Sequence, residues 1–113
     1  MTTKPPAAQK HGEKPKAHIT VPDEQVAEFC RRNRIRWLAL FGSVLRDDFK
    51  SDSDVDVLVE FEPEAPVGLF ALVEMQHELS DLFARPVDLV LKNGLKRRIR
   101  NSVLASAEVI YAN

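Results

Sequence analysis

Two aspartates, Asp54 and Asp56, stand at the head of the most regular apolar alternation in the chain. Val55, Val57, Val59 and Phe61 alternate with Asp56, Leu58 and Glu60, a period of two that predicts a strand. Residues two apart in a strand leave the same face, so both carboxylates sit side by side. Two such charges repel and perturb each other's pKa, an arrangement that a divalent cation with oxygen ligands, such as Mg²⁺, resolves. Ten residues upstream of the pair lies Gly42-Ser43, directly after the apolar run Trp37-Leu38-Ala39-Leu40-Phe41. Glycine allows close backbone approach, and a strand-to-helix turn offers N–H groups to phosphate oxygens. A third acid, Asp88, interrupts the apolar segment Val87–Leu91 and needs a partner or a metal. If that segment lies beside the Asp54–Asp56 strand, three carboxylates converge on one site fit for two metal ions. The plainer alternative makes Asp54 and Asp56 ordinary loop and strand-edge acids and Asp88 a surface residue.

The rest of the chain frames this segment. Pro22, Asp23 and Glu24 suit a first helical turn, and Val26, Phe29 and Cys30 follow at helical spacing to about Asn33. Val44 to Asp47 is expected to form a short helix. Leu69, Leu72, Met75, Leu79 and Leu82 predict a helix over 68–83, which Arg85-Pro86 ends. Leu95, Ile99, Val103, Ala107 and Ile110 mark a last helix. The expected order is α-β-α-β-α-β-α. It predicts an α/β (α+β) fold, a small mixed sheet of three to four strands with helices packed on it.

With 113 residues, there is room for one domain, and 44% hydrophobic against 29% charged residues is a globular balance. Residues 1–20 carry Lys4, Lys10, Lys14 and Lys16 against Glu13, and Met1 to His18 contains no Leu, Ile, Val or Phe. These residues are expected to be a disordered basic tail, with the folded domain over 21–113. No apolar run reaches the ~20 residues of a membrane helix. The lone Cys30 makes neither an internal disulfide nor a zinc site, which suits a reducing, cytoplasmic setting. A net charge of −1 gives no reason to expect nucleic acid as a partner.

The pattern G-S-x₁₀-D-x-D with a distal strand Asp resembles the DNA-polymerase-β-type nucleotidyltransferases. The small size is similar to their minimal branch, over residues 23–111. The resemblance implies that Asp54 and Asp56 bind both of two Mg²⁺ ions, that Asp88 completes one metal site, and that Gly42 and Ser43 hold the triphosphate of ATP. Arg46, three positions after Ser43, and Ser53, just before Asp54, also fit the family pattern. Arg46 then touches phosphate or forms a surface ion pair. It further implies an antitoxin of the HEPN–MNT kind, transferring AMP to a hydroxyl, a Tyr of a cognate HEPN RNase toxin. Two other readings stay open: an inactive antitoxin acting by contact, and transfer to a small molecule of the aminoglycoside type. The acceptor surface is expected from another chain, as a hetero-complex or homo-oligomer, because so small a domain has little surface to spare.

Other residues say less. The basic clusters Arg31, Arg32, Arg34, Arg36 and Lys96, Arg97, Arg98, Arg100 read as solvated helix faces favoured by C-terminal placement, or as a docking surface. His77 reads as a surface residue and Trp37 as core. Phe70/Val73 and Val109/Ile110 fit an oligomer contact or the core equally well.

Overall fold

The computed structural model describes residues 17–47, 49–50 and 52–113. The expected tail over residues 1–16 lies outside them. Helix α1 (Asp23–Arg32) opens on Asp23 and Glu24 and closes on Arg31 and Arg32, each sign at the end that the helix dipole favours. Its apolar stripe buries Val26, Phe29 and Cys30. Arg34, at φ 57°, then reverses the chain into strand β1 (Ile35–Phe41). A 3₁₀ turn, Gly42–Leu45, follows, and the chain returns as β2 (Val55–Phe61). Helix α2 (Leu69–Phe83) crosses to β3 (Val87–Leu91). A second 3₁₀ turn, Lys92–Gly94, leads to α3 (Arg97–Ser106) and β4 (Glu108–Ala112).

The sheet order is β3-β2-β1-β4. Strands β2 and β3 are parallel, joined through α2, whereas β1 runs antiparallel to both β2 and β4. Val55, Val57 and Val59 of β2, with Leu38 and Leu40 of β1, meet Phe29, Met75 and Leu79 of the helices in one core. Burying a side chain of this size contributes about 1.5–3 kcal/mol, so this layer holds α1 and α2 to the sheet. Among the described residues, no helix is long and apolar enough to cross a membrane.

The mixed sheet with packed helices agrees with expectation, but its last element does not. The final helix, expected through Ile110, stops at Ser106, and β4 takes its place. Ala107 is already extended, at φ −65° and ψ 146°. The spacing of Ala107 and Ile110 satisfies a helix, but Val109-Ile110-Tyr111 is a β-branched and aromatic run suited to pairing. Placed beside β1, it delivers Ile110 and Tyr111 to the core, 2% and 6% exposed.

Smaller differences follow the same logic. The helix expected at Val44–Asp47 is the 3₁₀ turn beginning at Gly42. Trp37, expected in the core, is half-buried, with Lys92 Nζ 4.4 Å from its ring centre. Leu69, Phe70 and Val73 are exposed at the start of α2 while Met75, Leu79 and Phe83 are buried. The Lys96–Arg100 basic cluster falls at the start of α3, the end where a helix dipole disfavours cations. The first basic cluster pairs on the surface, Arg34 with Glu62 at 3.2 Å and Arg36 with Glu60 at 3.9 Å.

Residues 17–20, expected in the tail, lie against the sheet. The Ala17 N–H donates to Glu108 Oε1 at 2.8 Å, and the His18 N–H donates to the Val44 carbonyl at 3.0 Å. Glu108 is 9% exposed, so this contact satisfies a buried acid and ties the strap to the turn after Gly42.

Ala84 closes α2 in the left-handed region, at φ 56° and ψ 35°, and is exposed. A Cβ there costs energy that glycine avoids. Ala84→Gly is therefore expected to raise unfolding stability by about 0.5–1 kcal/mol, measured as a higher urea midpoint at unchanged m-value.

Candidate active site

The last residue of β1, Phe41, is the register partner of Asp56, and Asp56 is the register partner of Asp88. Phe41, Asp56 and Asp88 thus form a row across three strands, spaced by about 4.8 Å per strand. Registered partners share a face, so Asp56 and Asp88 rise from the same side of the sheet. Asp54, just before β2, leaves that side too. The structure therefore brings the three predicted acids together. Asp54 and Asp88 are exposed and Asp56 is half-buried.

Gly42 completes the cradle. It adopts φ +80°, and a Cβ there would overlap Asp56 Oδ2 and lie 3.3 Å from its Cγ. Only glycine permits both the backbone turn and the close approach of that carboxylate. Ser43 follows in the same turn, where the first N–H groups are not used by the turn itself. The Arg46 N–H donates to the Ser43 carbonyl at 2.9 Å, which folds Arg46 back over the turn.

The electrostatics are those of crowded negative charge. Burial, then Asp88, then Asp54 push the Asp56 carboxyl above the usual carboxylate range, and Arg46 opposes them. Among the described residues, no group of three His, Cys, Asp or Glu side chains is placed to hold a metal ion by itself. The three acids form an open array instead, with hard oxygen donors on one face. In donor chemistry alone, a half-buried carboxylate near two others suits divalent cations of the Mg²⁺ type. Asp54, Asp56 and Asp88 are the residues that would hold them.

Supporting contacts hold the acids in place. β3 is the sheet's edge, yet the Val87 N–H donates to Ser80 Oγ at 3.0 Å and the Leu89 N–H donates to Gln76 Oε1 at 2.9 Å. Asp88 lies between these two anchors. The Val55 N–H donates to the Pro86 carbonyl at 2.9 Å, fixing the register that aligns Asp56 with Asp88. The Ser53 hydroxyl accepts from the Lys50 N–H at 3.1 Å, and the Ser53 N–H donates to the Lys50 carbonyl at 3.0 Å. Ser53 thereby shapes the loop before Asp54.

Arg85 was not singled out by the sequence as part of the site. Its guanidinium carbon lies 4.7 Å from the Phe49 ring centre, and its Nη1 donates to the Lys50 carbonyl at 3.1 Å. It joins the loop before Asp54 to the segment before Asp88. In the sequence, Arg85-Pro86 reads only as a helix stop, and no spacing rule connects it with Phe49.

The remaining candidates lie elsewhere. His77 is exposed on α2, and His18 Nε2 is 3.6 Å from Asp47 Oδ1. His11 is outside the described residues. Cys30 is buried, and burial pushes its thiol up to about 12, which keeps it protonated and inert. A groove of about 670 Å³ between residues 17–22 and Leu82–Arg85 contains none of the three acids.

A carboxyl whose folded-state pKa is raised opposes folding while ionised, and protonation or neutral substitution relieves that penalty. Asp56→Asn is therefore expected to raise the melting temperature of metal-free protein by about 2–5 °C. Added Mg²⁺ should stabilise the wild type and not the variant, both read by thermal scanning. Gly42→Ala is expected to keep the far-UV circular dichroism of the fold, lose about 1–2 kcal/mol of stability and displace Asp56.

Comparison with known proteins adds an independent line. A family model described as a nucleotidyltransferase domain matches residues 23–110. Protein adenylyltransferase MntA of Thermococcus cleftensis is 43% identical over 84 residues, 74% of this chain and 81% of that protein. A solved structure assigned to the minimal nucleotidyltransferases superposes with a TM-score of 0.63 at 35% identity, covering 75% of this chain and 85% of that one. A tri-AMPylated HEPN toxin of Shewanella oneidensis in complex with its MNT antitoxin gives a TM-score of 0.58 at 19% identity, over 80% of this chain and 70% of that one. That last likeness is one of fold. The chain belongs to the nucleotidyltransferase family, in its minimal branch, and is homologous to the MntA protein adenylyltransferases.

Proposed function

We propose that this protein is a Mg²⁺-dependent adenylyltransferase that moves AMP from ATP to a tyrosine hydroxyl of a cognate HEPN-type toxin and so acts as its antitoxin in the cytoplasm. The observation that carries the reading is the register of Asp56 with Asp88 beneath the Gly42–Ser43 turn. It supports a site in which phosphate and metal-binding groups share one sheet face. The kinship with a protein adenylyltransferase over most of the chain supports the choice of AMP and of a protein acceptor.

The chain's own residues set up the transfer. The Gly42 and Ser43 backbone receives the β- and γ-phosphates, and Arg46 adds positive charge beside them. Asp54 and Asp56 would hold the cations together with Asp88, which lies nearest the open edge of the sheet, where a hydroxyl can approach. Mg²⁺, when bound there, would supply charge neutralisation for the leaving group and a lowered pKa for the attacking hydroxyl. The acceptor oxygen forms a bond to the α-phosphorus as the bond from that phosphorus to the bridging oxygen breaks. The acceptor proton leaves to solvent, and pyrophosphate departs. The product is a phosphodiester linking AMP to the acceptor.

Incubation of the full chain with ATP, Mg²⁺ and the HEPN-type protein encoded beside it is expected to add one or more AMP units to that protein, read by intact mass. Asp54→Ala should lower the transfer rate by about 100-fold or more, and chelation of Mg²⁺ should abolish transfer. Neutralisation of the toxin by Asp54→Ala at wild-type strength, with no mass gain, would instead establish inhibition by contact alone.

A further inference from the structure

The Gly42–Leu45 turn has little to hold it from within. It is four residues long, and 3₁₀ geometry makes poorer hydrogen bonds than an α-helix does. Its closing bond runs from the Arg46 N–H to the Ser43 carbonyl. Groups that bind a ligand must nonetheless be held to within about 0.5 Å of the productive geometry. The buried Val44 side chain and the approach of Asp56 to Gly42 fix the turn from the sheet side.

A further hold comes from far away in the chain. Over residues 17–21, Ala17, Ile19 and Val21 are half-buried against the core, whereas His18 is exposed between the first two and Thr20 between the last two. This segment forms no strand of the sheet and reaches it through single hydrogen bonds. The His18 N–H donates to the Val44 carbonyl at 3.0 Å, inside the turn, and His18 Nε2 lies 3.6 Å from Asp47 Oδ1, just beyond it. One residue earlier, the Ala17 N–H donates to Glu108 Oε1 at 2.8 Å. Glu108 opens β4 and is the register partner of Leu40, two residues before Gly42. The strap is thus pinned on both sides of Gly42-Ser43, at the strand end that leads into the pair and at the carbonyl that follows it. A carboxylate as buried as Glu108 is costly unless it is hydrogen-bonded, and what it does here is accept a main-chain N–H from a segment outside the sheet.

We propose that residues 17–20 are a positioning strap: Glu108 and the His18 N–H lock them onto the Gly42–Leu45 turn and so set the affinity of that turn for polyphosphate. This rests on the reading above that the turn receives the phosphates of ATP. It makes His18 and Glu108 positioning residues that act through the turn and touch no substrate.

The experiment uses the ¹⁵N-labelled full chain with Mg²⁺ and inorganic tripolyphosphate. His18→Pro removes the N–H that reaches Val44. It is expected to move the Gly42 and Ser43 amide resonances, to leave those of Val87 and Leu89 in place, and to weaken tripolyphosphate binding by about tenfold. Thr20→Pro puts the same ring in the strap without touching either bond and should bind within about twofold of wild type. Glu108→Ala should weaken binding in the same way as His18→Pro, and Glu108→Gln, whose amide oxygen accepts the same bond, should restore it to within about twofold. Wild-type affinity in folded His18→Pro, or equal losses in Glu108→Ala and Glu108→Gln, would overturn the strap assignment and leave the transferase reading standing. Failure of the wild type to bind either tripolyphosphate or ATP would overturn both. If His18→Pro does not fold, the two Glu108 variants decide.

Discussion

The crowding of negative charge around Asp56, on one face of a four-stranded sheet, opposes folding, and the rest of the molecule is arranged to tolerate it. Asp56 is half-buried, faces two other carboxylates, and is pressed against the backbone of Gly42. A domain this small has a limited core with which to offset such a penalty. The compensation lies under the opposite face, where Val55, Val57 and Val59 pack against Phe29, Met75 and Leu79. The alternation of β2 therefore does two jobs with one period. Odd positions hold the fold, and Asp56 between them is presented on the other face beside Asp88 and Gly42.

Parallel pairing of β2 with β3 is the geometric condition for the site. Each strand begins at the same end of the sheet, so the second residue of one aligns with the second residue of the other. The crossover through α2 makes this possible, and Gln76 and Ser80 on that helix fix β3 by its outward N–H groups. Arg85 and Ser53 brace the loop between the Gly42 turn and Asp54. The acids thus lie on strand starts, and the parts that aim them are distributed over a helix and a loop.

Much of this was legible in the sequence because the site is written in local code. Gly42-Ser43 and Asp54-x-Asp56 stand at short spacing around one loop, and the alternation of β2 declares which face the acids take. The placement of Asp88 required a tertiary assumption, that two strands separated by a helix lie side by side, and the structure shows that pairing. β4 was hidden because Ala107 and Ile110 continue the helical spacing of Ile99 and Val103, while the pairing of Val109 and Tyr111 with β1 is a tertiary fact that no local spacing declares. Trp37 reads as core on hydropathy alone, yet its position in the pleat turns it to the face where Lys92 covers it. The roles of Arg85, Gln76 and Ser80 depend on contacts across long stretches of chain, so no local pattern announces them.

The capped margin of β3 has a consequence for how another macromolecule can engage this domain. Exposed strand edges recruit extended segments by main-chain pairing, a common route both to recognition and to aggregation. At Val87 and Leu89 those donors are already committed to side chains of the neighbouring helix. A visiting polypeptide therefore cannot zip onto the sheet beside Asp88 as a fifth strand. Contact at this margin falls instead to side chains, which ties any recognition there to the shape of a folded surface rather than to an extended stretch of sequence.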